Sequence, residues 1–206
     1  MRFEFKRASF VVSVLSVIAL TGCTTVRETD PARTATEQLL ISAAADRAAE
    51  KLVFNIPQNS KVFINADNFE GLDGKYAIGS IRDHVLRQGF AITDNKNDAD
   101  TIVEIRAGAL SIDKQEVLVG IPNFDIPIPL AGQFTFPEIA LFKREEQLGV
   151  AKFAATSYDA KKGTLENSTS PQFGGSEHSK TVLLFLISWS NDNLHATTQP
   201  VSRSSN

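Results

Sequence analysis

The feature that most constrains this chain lies ahead of its folded part. Arg2, Lys6 and Arg7 precede an apolar run from Ala8 to Leu20, broken only by Ser9, Ser13 and Ser16. A basic start, a short apolar core and small residues before a cut make a secretory signal peptide. The run is too short to cross a bilayer, which takes about 20 apolar residues. It ends in Leu20-Thr21-Gly22-Cys23, and Cys23 is the only cysteine of the chain. Cleavage after Gly22 leaves 184 of the 206 residues. If Cys23 is consumed at the cut, no disulfide and no cysteine metal site can form, although an oxidising compartment would permit disulfides. The fold must then stand on packing.

Leu20-Thr21-Gly22-Cys23 resembles the lipobox of bacterial lipoproteins. The resemblance implies that the Cys23 thiol receives a diacylglyceryl group, that cleavage falls between Gly22 and Cys23, and that the new amino group is acylated, with palmitate the sort of chain involved. A thiolate is the natural nucleophile for that alkylation. Several acyl chains hold far better than the single chain that binds only reversibly. Thr24 and Thr25 follow Cys23, not the aspartate that retains such lipoproteins in the inner membrane. By that family rule the protein is lipid-anchored in the outer membrane, facing the periplasm.

Removing residues 1–22, with three basic and one acidic side chain, takes the formal charge from −3 to −5. That balance argues against nucleic acid and against a polybasic membrane patch. Residues 23–33 read as a polar tether, at most about 35 Å long when extended. Residues 34–194 form one α+β domain, a size suited to a single core. Residues 195–206 read as a disordered tail.

Thr34-Ala35-Thr36-Glu37 is a capping box, and Leu40, Ala44, Ala48 and Leu52 then form one helical stripe. Lys61–Ala66 alternates as a strand. Tyr76–Gln88 is a second helix, with Ile78, Ile81 and Val85 on one face and Gly89 where a left-handed cap belongs. Phe90–Thr93 is a short strand, Asp94–Asp98 a turn, and Thr101–Ile112 a long half-exposed strand. Val117–Ile121, Phe134–Phe142 and Leu148–Tyr158 read as further strands, with turns at Glu145-Glu146-Gln147 and Asp159–Gly163. Thr164–Lys180 reads as a loop. Thr181–Trp189 is apolar on both faces, as a buried central strand would be. The expectation is two N-terminal helices on a mostly antiparallel sheet.

Several segments resemble a group of bacterial lipoproteins that carry a domain of unknown function. They include Thr36–Leu40, Gly108–Asp113, Leu118–Pro122, Glu138–Lys143, Gln147–Lys152 and Tyr158-Asp159. More loosely, the order of elements is similar to periplasmic lipoproteins of the curli-secretion and flagellar-envelope type. Asp98-Ala99-Asp100 and Asp159-Ala160-Lys161-Lys162-Gly163 carry that second likeness. Neither resemblance supplies an activity, since fold does not carry function.

The chemistry-bearing residues do not converge in sequence. Glu70-Gly71-Leu72-Asp73-Gly74-Lys75 lacks the spacing and the hydroxyl of a phosphate loop and reads as a turn. His84, His178 and His195 share no metal-ligand spacing and read as solvated. Ser176 and His178 lie too close in a loop to make a nucleophile and its base. Glu104 and Arg106 read as a surface ion pair. No catalytic residue, metal site or cofactor is therefore assigned, and the expected function is non-catalytic: a scaffold or adaptor for another envelope component. A periplasmic module binding an apolar ligand between the first helix and the sheet is the alternative, with an enzyme third.

One segment stands apart. Ile121-Pro122-Asn123-Phe124-Asp125-Ile126-Pro127-Ile128-Pro129-Leu130 sets large apolar residues between prolines that donate no amide hydrogen, so it cannot be a regular central strand. It either covers the domain's own core or offers Ile121, Phe124, Ile126 and Ile128 to a partner, with Phe124 as the anchor.

Overall fold

The computed structural model describes residues 33–71, 73–128 and 132–194. Helix α1 (Ala35–Ala49) opens on the capping box: the Glu37 amide donates to Thr34 Oγ1 at 3.2 Å, and the Thr34 amide donates back to Glu37 Oε2 at 2.8 Å. Strand β1 (Lys61–Asn65), helix α2 (Gly74–Arg87) and the short β2 (Ala91–Ile92) follow. They form a crossover, with β1 parallel to β2 on one side and to the next strand, β3, on the other. The left-handed Gly89 (φ 91°) ends α2, because glycine adopts that conformation at no steric cost.

Two strands dominate the rest. β3 (Thr101–Ile121) and β6 (Ile139–Asp159) each run 21 residues and pair antiparallel along their whole length. Between them, β4 (Phe124–Ile128) and β5 (Gly132–Phe136) form a separate two-stranded hairpin. β7 (Leu165–Ser168), β8 (Gln172–Leu183) and β9 (Ile187–Asp192) complete a mixed seven-stranded sheet of order β2-β1-β3-β6-β8-β9, with β7 also on β6. The architecture is α+β, but the helices do not both precede the sheet, since α2 lies between β1 and β2.

Both helices pack on one face of the sheet. The core joins Ala44 and Ala48 from α1 and Leu52 just past its end with Ile81 and Val85 from α2, and with Val62, Val103, Ile105 and Phe153 from the strands. Burying each of the larger of these side chains contributes about 1.5–3 kcal/mol. The α1 stripe is small because the helix presses onto glycines. A side chain at Gly149 would lie 2.5 Å from the Leu40 carbonyl oxygen, and one at Gly174 would lie 2.6 Å from the Ala48 amide nitrogen. Ser176 Oγ locks the contact by donating to the Leu40 carbonyl at 2.6 Å. The interface between α1 and the sheet is therefore filled.

Three expectations are corrected here. Glu145-Glu146-Gln147 lies inside β6, paired with Lys180, Ser179 and His178 of β8, and is not a turn. The stretch expected to loop from Thr164 to Lys180 holds β7 and most of β8. Its serines and glycines suit β8 because α1 approaches that strand closely. Thr181–Trp189 is not one buried strand. It turns at Leu184–Leu186, pairs Leu183 with Ile187, and is largely exposed.

Candidate functional site

The site begins where the helix cover ends. α1 enters over the sheet at Glu37, whose carboxylate receives the Lys114 ammonium, and runs from there toward Gly174. Past Lys114, the strands β3, β6, β8 and β9 continue as a ribbon with no helix over them among the described residues. β1 pairs with β3 only as far as Glu104, so the edge of β3 beyond that point is unpaired among the described residues.

The two faces of this ribbon differ, because side chains along a strand alternate while residues paired across strands share a face. One face carries an unbroken apolar row across all four strands: Val119, Phe142, Leu183 and Ile187. The next row back holds Val117, Arg144, Thr181 and Trp189. The opposite face is polar around Lys143, whose ammonium lies 3.1 Å from Glu138 and Glu145 and 3.3 Å from Glu116. Desolvation works against the Lys143 charge, yet hydrogen bonds to those three carboxylates outweigh it and raise its pKa above the usual lysine value. A band of paired charge thus lies directly behind the apolar end.

Two projections finish the end. The β4–β5 hairpin stacks Phe124 on Phe136 with ring centroids 5.1 Å apart, and pairs Ile126 with Phe134 on the same face. Its other face is polar, where Thr135 Oγ1 donates to Asp125 at 2.6 Å. Phe124, Ile126 and Phe134 are 47%, 42% and 50% exposed. The second projection is the turn between β8 and β9, where Leu184, Phe185 and Leu186 are all exposed. Monomeric soluble proteins rarely carry contiguous apolar surface of this kind without a use for it.

Of the residues singled out in the sequence, Ile121 ends β3 opposite Ile139, and Phe124, Ile126 and Ile128 all lie on β4. The structure brings them to the same end of the ribbon. Ile121, Phe124 and Ile126 are exposed and do not cover the core. Gly22, Cys23 and His195 lie outside the described residues. Sequence reasoning missed the β8–β9 turn, since an unbroken apolar run with no polar turn residue gives no sign of where it reverses.

A family model described as a family of unknown function (DUF6655) matches residues 17–170. The chain belongs to that family. No curated protein matches it. In this DUF6655 chain the matched span takes in β1 through β7 and stops before β8, so the apolar turn lies beyond it.

Away from the ribbon end, the polar groups serve the fold. His84 is half-buried, contrary to the solvated position expected of it, because its Nε2 lies 2.9 Å from the Leu52 carbonyl and Gln88 binds the same carbonyl at 2.7 Å. His178 lies on β8, not in a loop, with Nδ1 4.0 Å from Asp192. Ser176 is committed to α1. Glu104 and Arg106 do not pair: Glu104 accepts from Asn68, and Arg106 donates to Thr156. An open groove of about 480 Å³ lies between α1 and α2, lined by Asp46, Glu50, Tyr76, Ser80 and His84. Desolvation and the hydrogen bond to Asp46 raise the Tyr76 pKa, so its hydroxyl stays protonated and is no base. Among the described residues no group of three or more His, Asp or Glu side chains is placed to hold a metal ion, and no helix is long and apolar enough to cross a membrane.

Proposed function

We propose that this protein is a non-catalytic adaptor of the bacterial envelope, lipid-anchored at Cys23 and docking to another envelope component through the apolar end of its β-ribbon. The observation that carries the reading is the apolar row Val119, Phe142, Leu183 and Ile187, exposed at all but the half-buried Phe142, together with the exposed Phe124 hairpin. An adaptor needs an unpaired apolar surface. A binding module for an apolar ligand needs an enclosed one instead, and the space between α1 and the sheet is taken up by the glycine contacts. The lipobox and the residues after it support an outer-membrane address facing the periplasm.

Phe124 is the place to test docking. Phe124→Ser lies on a hairpin apart from the main sheet, so the global unfolding midpoint should stay within error, as for a surface change of about 0.5 kcal/mol or less. A diazirine side chain at the same position should capture a specific envelope component in intact cells. A large loss of stability together with no adduct would make the hairpin a structural element only.

A further inference from the structure

We propose that the component docked at the ribbon end is the lipid bilayer itself: the turn Leu184-Phe185-Leu186 and the apolar face of the β4–β5 hairpin insert into one leaflet. Insertion names the occupant of the docking surface proposed above and rests on that surface being the working part.

The turn carries the inference furthest. The Leu186 amide donates to the Leu183 carbonyl at 3.3 Å, and Leu184 and Phe185 between them both have φ of 49°. Within this three-residue loop, positive φ at both Leu184 and Phe185 has the sense of a type I′ turn, which Asn-Gly fills without strain. Large side chains with a Cβ are disfavoured there. Leu184, Phe185 and Leu186 are nevertheless 50%, 65% and 79% exposed. Packing within the fold does not account for apolar residues in that strained geometry, and such outliers point to function.

Shape and charge then favour lipid over protein. The apolar groups project from an exposed turn and from an amphipathic hairpin that stands apart from the main sheet. Acyl chains conform to any shape, whereas a protein partner must match it closely. Trp189 lies two residues behind Ile187 on the apolar face; Arg144 shares its level, Lys180 lies one residue behind it, and Lys143, on the opposite face, lies one residue ahead of it. An apolar end with an aromatic ring set among charged side chains behind it has the make-up of a membrane interface. Apolar strand behind the turn runs only from Thr181 to Leu183 and from Ile187 to Trp189, short of the 9–11 residues a spanning strand needs. The end therefore dips in and does not span.

The tether agrees. The chain enters the described domain at Arg33, at the end of α1 where Glu37 meets Lys114, which is the ribbon side. From Lys114 to Ile121 the strand advances about 23 Å, and residues 23–33 reach about 35 Å at most. An anchor at Cys23 and the ribbon end can thus meet one membrane surface.

Trp189 is the only tryptophan, so its own fluorescence reports the outcome. The purified full chain is mixed with vesicles of phosphatidylethanolamine and phosphatidylglycerol, with or without brominated acyl chains. Insertion predicts a blue-shifted emission and loss of most of it on bromination. Leu184→Asn with Phe185→Gly, which suits the type I′ turn, should keep cooperative unfolding and abolish the quenching. Co-flotation with vesicles but no quenching of Trp189 overturns insertion and leaves the anchor standing; no co-flotation overturns both. The diazirine at Phe124 separates the remaining failures. A phospholipid adduct supports insertion, a protein adduct (a second copy included) overturns it but keeps the docking reading, and no adduct of either kind overturns the docking surface as well.

Discussion

Glu37 shows how much one side chain can settle. It caps α1, is 9% exposed, and takes the ammonium of Lys114 at the point where the ribbon leaves the helix cover. The hydrogen bond from Lys114, then that from the Thr34 amide, holds its pKa below the ordinary 4.5. A carboxylate with a depressed folded pKa stabilises the fold fully above its unfolded pKa, and that contribution is lost as pH falls through the folded value. Thermal midpoints measured from neutral pH down past 4.5 should therefore drop less steeply for Glu37→Gln than for wild type, with the variant lower at pH 7. Parallel curves would mean that the pair contributes nothing. The capping box is legible in four residues of sequence, because its chemistry is local. Lys114 as a partner is not, since 77 residues separate the pair.

At the scale of elements, α1 and β8 depend on each other through the absence of side chains. Gly149 and Gly174 let the helix backbone approach, and Arg47 and Lys51 bind the carbonyls of Gly175 and Phe173 from the helix side. Gly174→Val should cost about 1–3 kcal/mol, the usual range for overpacking, and a denaturant midpoint unchanged within error would mean that the helix can lift off the sheet freely. The α1 stripe and Ile81 at the centre of α2 were legible because a 3.6-residue period records which face is buried. Long strands leave a weaker record. Glu145-Glu146-Gln147 resembles a turn in composition, yet outside the helix cover a sheet can solvate charge on both faces, so β6 continues through it. Serine and glycine in β8 disguised a strand for a related reason: the helix demands small residues where strand propensity asks for large ones.

For the whole molecule the decisive question is attachment. Cys23→Ser should abolish incorporation of a radiolabelled fatty acid, and density-gradient separation should place the wild-type protein with the outer membrane. Equal labelling of variant and wild type would remove the anchor, and co-migration with the inner membrane would remove the address. With an anchor and an inserted ribbon end, the domain would sit with α1 and α2 behind the charged band around Lys143.

Sequence alone determined what depends on neighbours along the chain: the cap at Thr34, the stripes of the two helices, the left-handed Gly89, the turn after Asp159 and the matched family span. It also showed that Ile121, Phe124, Ile126 and Ile128 break the pattern of an ordinary strand. Only the tertiary structure decided where those residues lie, because exposure depends on which elements cover a strand. The 21-residue pairing of β3 with β6 runs past the end of α1, and Ile121, Phe124 and Ile126 lie exposed there. Leu183 and Ile187 lie on the sheet face opposite α1. An apolar run has one composition whether it fills a core or turns in the open, and the pairing of Leu183 with Ile187 across an exposed turn distinguishes the two.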